Sequence, residues 1–254
     1  MTERPARFVG TAGWTIPRAH RDRFAPVGSQ LQRYASQLNA VEINSSFYRS
    51  HAAATYERWA AAVPDSFRFA VKIPKLITHD RALVRARDPL ARFVDEIAGL
   101  GMKLGPLLLQ LPPSFAFEPR RVGRFLDLLR RLHGGTVVCE PRHTSWTSPA
   151  ASRTLESFHI ARVAADPPRV EGLDAPGGAR DLVYYRWHGS PRTYFSPYSR
   201  TAIDRLAGEM TDQEVDAWSI FDNTGSGAAA ANAVDLAATI AAARRSAPCE
   251  RPTR

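Results

Sequence analysis

The sequence predicts an α/β fold of the TIM type, a single (β/α)8 barrel with an irregular sixth crossover. Three observations carry this. Eight strand-like runs recur along the 254 residues, most of them separated by segments with helical spacing of apolar residues. Repeated β-then-α units imply parallel strands, and about 250 residues is an ordinary length for a closed eight-unit barrel. No Gly-x-Gly-x-x-Gly follows the first strand, which argues against an open doubly wound sheet, since Gly10 and Gly13 alone do not make that fingerprint.

The expected strands are 7–13, 40–44, 68–73, 106–111, 136–140, 161–166, 182–188 and 218–223. Between them, 30–38, 53–62, 89–100, 119–132 and 150–159 space their apolar residues as amphipathic helices do. Gly99 with Gly101, and Gly134 with Gly135, stand where helices should end. The stretch 167–180 is rich in Pro and Gly and has no room for a full helix, so the sixth crossover is expected to be a loop. A polar and aromatic loop, 190–198, follows the seventh strand, and the alanine-rich segment 225–245 is expected to close the fold as a helix. The domain is expected over 1–245, with a disordered tail over 246–254.

Composition excludes several classes. No run approaches 18 uninterrupted apolar residues, so no membrane span is expected. The opening residues carry no apolar signal core, and Cys139 and Cys249 cannot form a disulfide framework or a zinc knuckle; a reducing cytoplasm is the expected location. No cofactor motif is present, so no cofactor is expected. Lys and Arg number 34 against 25 Asp and Glu, a net +9. Lysine occurs only at Lys72, Lys75 and Lys103, and arginines such as Arg120, Arg121, Arg124, Arg130 and Arg131 lie on expected helix exteriors. The excess therefore reads equally as a solvated surface or as a footprint for a polyanion.

The C-terminal ends of the strands carry the chemistry. Side chains two apart share a face, so Glu42 and Asn44 align on the second strand, Glu140 and Arg142 on the fifth, and Arg186 and His188 on the seventh. Lys72 ends the third strand, Gln110 the fourth, Asp166 the sixth and Asp222 the eighth. In a closed barrel such residues converge on the mouth where reactions occur. Glu42, Glu140, Asp166 and Asp222 nearly balance Lys72, Arg142 and Arg186, which suits cations clamping an anion more than a bare metal cage.

Particular blocks resemble the domain of unknown function 72, or YecE-like, family: GTAGW at 10–14, VEINSSFYR at 41–49, FAVKIPKLITHD at 69–80, LGPLLLQLPPSF at 104–115, EPRHTSW at 140–146, YYRWHGS at 184–190 and FDNT at 221–224. The resemblance implies a (β/α)8 barrel and, at the level of fold, a relation to metal-dependent endonuclease barrels.

Four chemistries fit these residues. In the first, Lys72, Arg142 and Arg186 hold a phosphorylated small molecule or a nucleic acid, and Glu140 or Asp166 is general base. Trp14, Phe47, Tyr48, Trp146, Tyr194 and Phe195 would then supply stacking surface. On this reading Arg186→Ala weakens ligand binding and leaves the melting temperature nearly unchanged. In the second, His79, Glu140, Asp166, His188 and Asp222 ligate zinc or manganese in a hydrolase. In the third, Glu42 and Glu140 act as a glycosidase acid/base pair. In the fourth, the same clamp binds an anion without catalysis. Oligomeric state is open.

Overall fold

The computed structural model describes residues 5–246. Its strands are β1 (Arg7–Thr11), β2 (Ala40–Ile43), β3 (Arg68–Lys72), β4 (Leu104–Gln110), β5 (Val137–Glu140), β6 (Ile160–Arg162), β7 (Ala164–Asp166), β8 (Gly177–Gly178), β9 (Leu182–Trp187) and β10 (Asp216–Phe221). The α-helices are α1 (Gln30–Tyr34), α2 (Ser45–Tyr48), α3 (Ala53–Ala61), α4 (Arg87–Ile97), α5 (Pro119–Leu132), α6 (Pro149–Ser157), α7 (Arg200–Thr211) and α8 (Ala228–Ser246). Ser246 ends α8, and the rest of the expected tail lies outside the described residues. No helix among the described residues is long and apolar enough to cross a membrane.

Local chemistry sets these elements. The Glu118 carboxylate caps α5 by accepting from the Arg120 and Arg121 amides, Pro119 occupies the first turn, and Val122, Phe125, Leu126 and Leu129 bury one face. Ser148 with Pro149 starts α6 in the same way. Helix α7 was absent from the helices expected from sequence. It nonetheless carries a Ser199 cap and a buried Ile203–Leu206–Ala207–Met210 stripe, and it fills the seventh crossover.

The ladders form two sheets rather than the expected single closed one: β1-β10-β9-β7 and β2-β3-β4-β5-β6-β8. All pairs are parallel except β6 with β8. The expected sixth strand is divided at Val163, its first half pairing with β5 and its second with β9. The following crossover has no helix, as expected; β8 lies within it and caps the edge of β6.

Between β1 and β2 the backbone ladder is reduced to the Ala12–Glu42 bridge, with the Gly13 amide donating to the Glu42 carbonyl at 2.8 Å. Side chains replace the rest. Asn39 accepts from the Val9 amide and donates to the Arg7 carbonyl, both at 2.8 Å. The Tyr34 hydroxyl, fully buried, accepts from the Thr11 amide at 2.8 Å and donates to the Ala40 carbonyl at 2.9 Å. Gly10 permits the approach, because a Cβ there would lie 2.1 Å from the Ala40 carbonyl oxygen. Tyr34→Phe orphans a buried donor and a buried acceptor and is expected to cost about 2 kcal/mol. Thermal unfolding should show a drop of roughly 5 °C; a shift below one degree would mean that the Asn39 bonds and the Gly13–Glu42 bond hold this seam without Tyr34.

Two apolar clusters flank the strands. The larger packs the helices on the outer faces. The smaller takes one face of both sheets, including Ala40, Ala70, Leu108, Val138, Ala161, Val163, Tyr184, Trp218 and Ile220. Gly105 makes room within it, since a Cβ there would meet the Trp218 ring at 2.6 Å.

Candidate functional site

Two residues beyond the inner apolar cluster, on the same face of each strand, stand the polar groups. Glu42 follows Ala40, Lys72 follows Ala70, Gln110 follows Leu108, Glu140 follows Val138, Arg186 follows Tyr184 and Asp222 follows Ile220. The period-two alternation of strands thus sets a charged layer directly on an apolar one.

Arg186 is the hub. Its side chain is 0% exposed, and its guanidinium donates to three carboxylates. Nε and Nη2 grip Glu42 at 3.1 and 2.7 Å, Nη1 meets Glu140 at 2.6 Å, and Nη2 meets Asp222 at 3.0 Å. Tyr184 adds a 2.9 Å bond to Glu42. Glu140 accepts further from Gln110 at 2.9 Å, from Arg142 Nε and Nη2 at 3.0 and 2.8 Å, and faces His188 Nε2 at 3.2 Å. Five donors therefore crowd the roughly four lone-pair sites of one carboxylate. Burial opposes the Glu140 charge, but Arg186, Arg142 and His188 outweigh it and hold the group well below the ordinary carboxylate range. A carboxylate so saturated is a poor general base.

His188 lies between Glu140 and Asp222, with Nδ1 at 3.0 Å from the latter. Both ring nitrogens face carboxylates, an arrangement that favours the doubly protonated imidazolium, in which both donate. Burial opposes that charge, and Glu140 with the bonds to Asp222 and Glu140 overcomes it, raising the pKa above the ordinary histidine value. Arg186, Arg142 and His188⁺ thereby neutralise Glu42, Glu140 and Asp222.

Lys72 is the remainder. It is 8% exposed, and among the described residues no carboxylate oxygen stands within ion-pair distance of its Nζ. The ammonium instead sits 4.0 Å from the centre of the Phe47 ring. Burial and then Arg186 press its pKa down to about 8, against the pull of Glu42, Glu140 and Asp222. Asn44, at the end of β2, is half-buried, and its Oδ1 is a buried acceptor without a hydrogen-bond partner.

Residues 8–254 match the family described as "Protein of unknown function DUF72". The chain belongs to the DUF72 family. It is similar to the UPF0759 protein YecE of Escherichia coli (strain K12), 30% identical over 128 residues that make up 50% of this chain and 44% of that protein. The chain thus spans less than half the length of that relative. It is also similar to the UPF0759 protein YunF of Bacillus subtilis (strain 168), 26% identical over 89% of this chain and 91% of that protein. A crystal structure of a DUF72 family protein from Thermotoga maritima shares the fold, with a TM-score of 0.76 at 23% identity over 93% of this chain and 99% of that one. A looser likeness of fold, TM-score 0.52 at 12% identity over 98% and 99% of the two chains, extends to a TIM-barrel-like sugar phosphate isomerase/epimerase from Parabacteroides distasonis.

Not every residue singled out from sequence joins the DUF72 cluster. Asp166 follows Ala164, which belongs to the outer apolar cluster, and its carboxylate accepts from the Tyr198 hydroxyl at 2.7 Å. Its parity, opposite to that of Ala161 and Val163 in the smaller cluster, turns it away from the charged layer. His79 bonds Thr78 at 2.8 Å and packs on Phe47, so the five side chains of the alternative metal-hydrolase reading are not assembled. Among the described residues no three His, Cys, Asp or Glu side chains are grouped so as to hold a metal ion. Trp146 is buried and donates to the Phe115 carbonyl, and Trp14 packs edge-on against Trp59; both anchor loops. Tyr194 lies edge-on to His188, with ring centres 5.8 Å apart. Tyr48 is 79% exposed, and Phe195 stacks beneath Arg192. Sequence reasoning missed Tyr184, whose place two residues before Arg186 on one strand face was the available signal.

Proposed function

We propose that the charged layer is the floor of a ligand site at the mouth of one closed (β/α)8 barrel, and that the protein binds and acts on a small, phosphate-bearing anion there. Support for closure comes from the inner cluster, which joins both sheets, and from the side-chain bonds across the β1–β2 seam. One observation carries the ligand class: the buried Glu42 and Glu140 and the partly exposed Asp222 are matched by Arg186, Arg142 and His188, and Lys72 is left as a cation without a counterion. An anion placed at Nζ completes the balance and replaces water that this recessed amine cannot fully hold. The expected clamp role of Arg186 passes to Lys72 and the partly exposed edge of Arg142, since a guanidinium 0% exposed cannot meet a ligand. Recession also favours a small molecule over a nucleic acid, whose backbone needs an exposed row of cations.

Thermal shift tests this with inorganic phosphate, sugar phosphates and an oligonucleotide at low salt. Phosphorylated compounds are expected to stabilise the wild type and to leave Lys72→Met unchanged. Equal stabilisation of the variant would remove Lys72 from the site, and a larger response to the oligonucleotide would favour a polynucleotide ligand.

A further inference from the structure

The chain has three lysines, and their environments differ in kind. Lys75 is paired with Asp80 at 2.8 Å on the surface. Lys103 donates to the Ala60 and Val63 carbonyls at 2.8 and 2.7 Å and lies 3.2 Å from Asp65. Among the described residues, Lys72 differs from both in having neither a hydrogen-bonded nor an ion-paired side-chain partner, its ammonium lying over an aromatic face instead. A phenyl ring attracts an ammonium but cannot accept a hydrogen bond as a carboxylate does, so once the proton leaves, the Nζ lone pair has no competing partner there. Lys72 stands at the C-terminal end of β3, where its backbone carbonyl accepts from the Ser46 hydroxyl at 2.8 Å, beside Phe47.

Phe47 and Ser46 also line a cavity of about 410 Å³ between the 46–50 segment, the turn at 74–80 and α4. Arg49 and Arg92 line it too, and neither has a hydrogen-bonded or ion-paired side-chain partner among the described residues. The Tyr56 hydroxyl, on a lining residue that is fully buried, has no hydrogen-bond partner. The ring that carries the amine therefore borders a space with two free guanidiniums and an unpartnered hydroxyl.

We propose that Lys72 is a nucleophile that forms an imine with a small aldehyde or ketone bearing a phosphate group; this rests on the anion-site reading above and deepens it. The neutral Nζ attacks the carbonyl carbon, and one of its two protons passes to the oxygen to give a neutral carbinolamine. Loss of that hydroxyl with one proton taken from solvent, as water, leaves a C=N bond that keeps the remaining N–H proton; no oxidant or reductant is needed. With its pKa near 8, Lys72 is neutral in about one molecule in ten at neutral pH, on the order of a hundredfold more than an ordinary lysine.

The test is trapping with cyanoborohydride at pH 7.5 in the presence of pyridoxal 5′-phosphate, glyceraldehyde 3-phosphate or dihydroxyacetone phosphate, read by intact mass and peptide mapping. One adduct per chain at Lys72 is expected, formed at least tenfold faster than at Lys75 or Lys103, lost in Lys72→Met and kept in Lys75→Arg. Glycerol 3-phosphate, which has no carbonyl, is expected to slow it by competition. No adduct, or one distributed by surface exposure, overturns the imine. If glycerol 3-phosphate still stabilises the protein in that case, the anion site stands without it. If it neither stabilises nor protects Lys72, the anion site itself is overturned.

Discussion

Replacing Arg186 by methionine is expected to lower the melting temperature by roughly 10 °C or more. Its guanidinium is fully buried and is the common partner of Glu42, Glu140 and Asp222. Removing one member of a buried ion pair costs about 3–5 kcal/mol because the other charge stays behind without compensation. Here three carboxylates lose a partner, and in a chain of this length each kcal/mol moves the midpoint by about 2–4 °C. Arg186→Lys should recover only part of the loss, since an ammonium cannot grip Glu42 through two nitrogens while reaching Glu140. Thermal unfolding followed by circular dichroism decides it. A change within two or three degrees would show an Arg186 that is dispensable to the fold, as the sequence alone suggests.

That contrast marks what strand periodicity can reveal. Alternation placed Glu42, Lys72, Gln110, Glu140, Arg186 and Asp222 on one face at the strand ends, and they do form one layer. It could not give depth, because parity fixes direction and not the distance to solvent; Arg186 and Arg142 look alike in sequence, yet only Arg186 is fully sealed from solvent. Nor could it pair the charges, which depends on side chains from strands far apart in the chain. Asp166 shows the opposite limit. A place at a strand end is not sufficient, because the break at Val163 and the outer position of Ala164 put its carboxylate on Tyr198. The β1–β2 seam was hidden for a related reason: Tyr34 and Asn39 read as ordinary helix and loop residues until their polar atoms are seen completing a ladder. The Ser199-capped stripe of α7 is legible in the sequence as a Ser cap followed by apolar residues at helical spacing.

Lys72→Met is expected to act in the opposite sense and raise stability at pH 7. Below about pH 8 the folded protein holds a charged, 8% exposed amine without a carboxylate at ion-pair distance, whereas the unfolded chain offers it water. The sign follows from proton counts. Lysine binds its proton with the ordinary value of 10.5 when unfolded and about 8 when folded, so between these values the unfolded state binds more protons and stability rises with pH. The penalty is fully present below pH 8, amounts to about 3 kcal/mol, and fades by about pH 10.5. Methionine keeps the length and the contact with Phe47 without the charge. The variant should therefore melt roughly 5–10 °C above the wild type at pH 7, and the gap should narrow steadily as pH climbs from 8 to 10.5. Paired melts across that range isolate Lys72, because other titrating groups are common to both proteins. A variant less stable than wild type at every pH would mean that Lys72 is a structural partner of the carboxylates around it. A stabilised variant that no longer responds to phosphate would instead identify an amine held against the fold's own stability for the sake of its ligand.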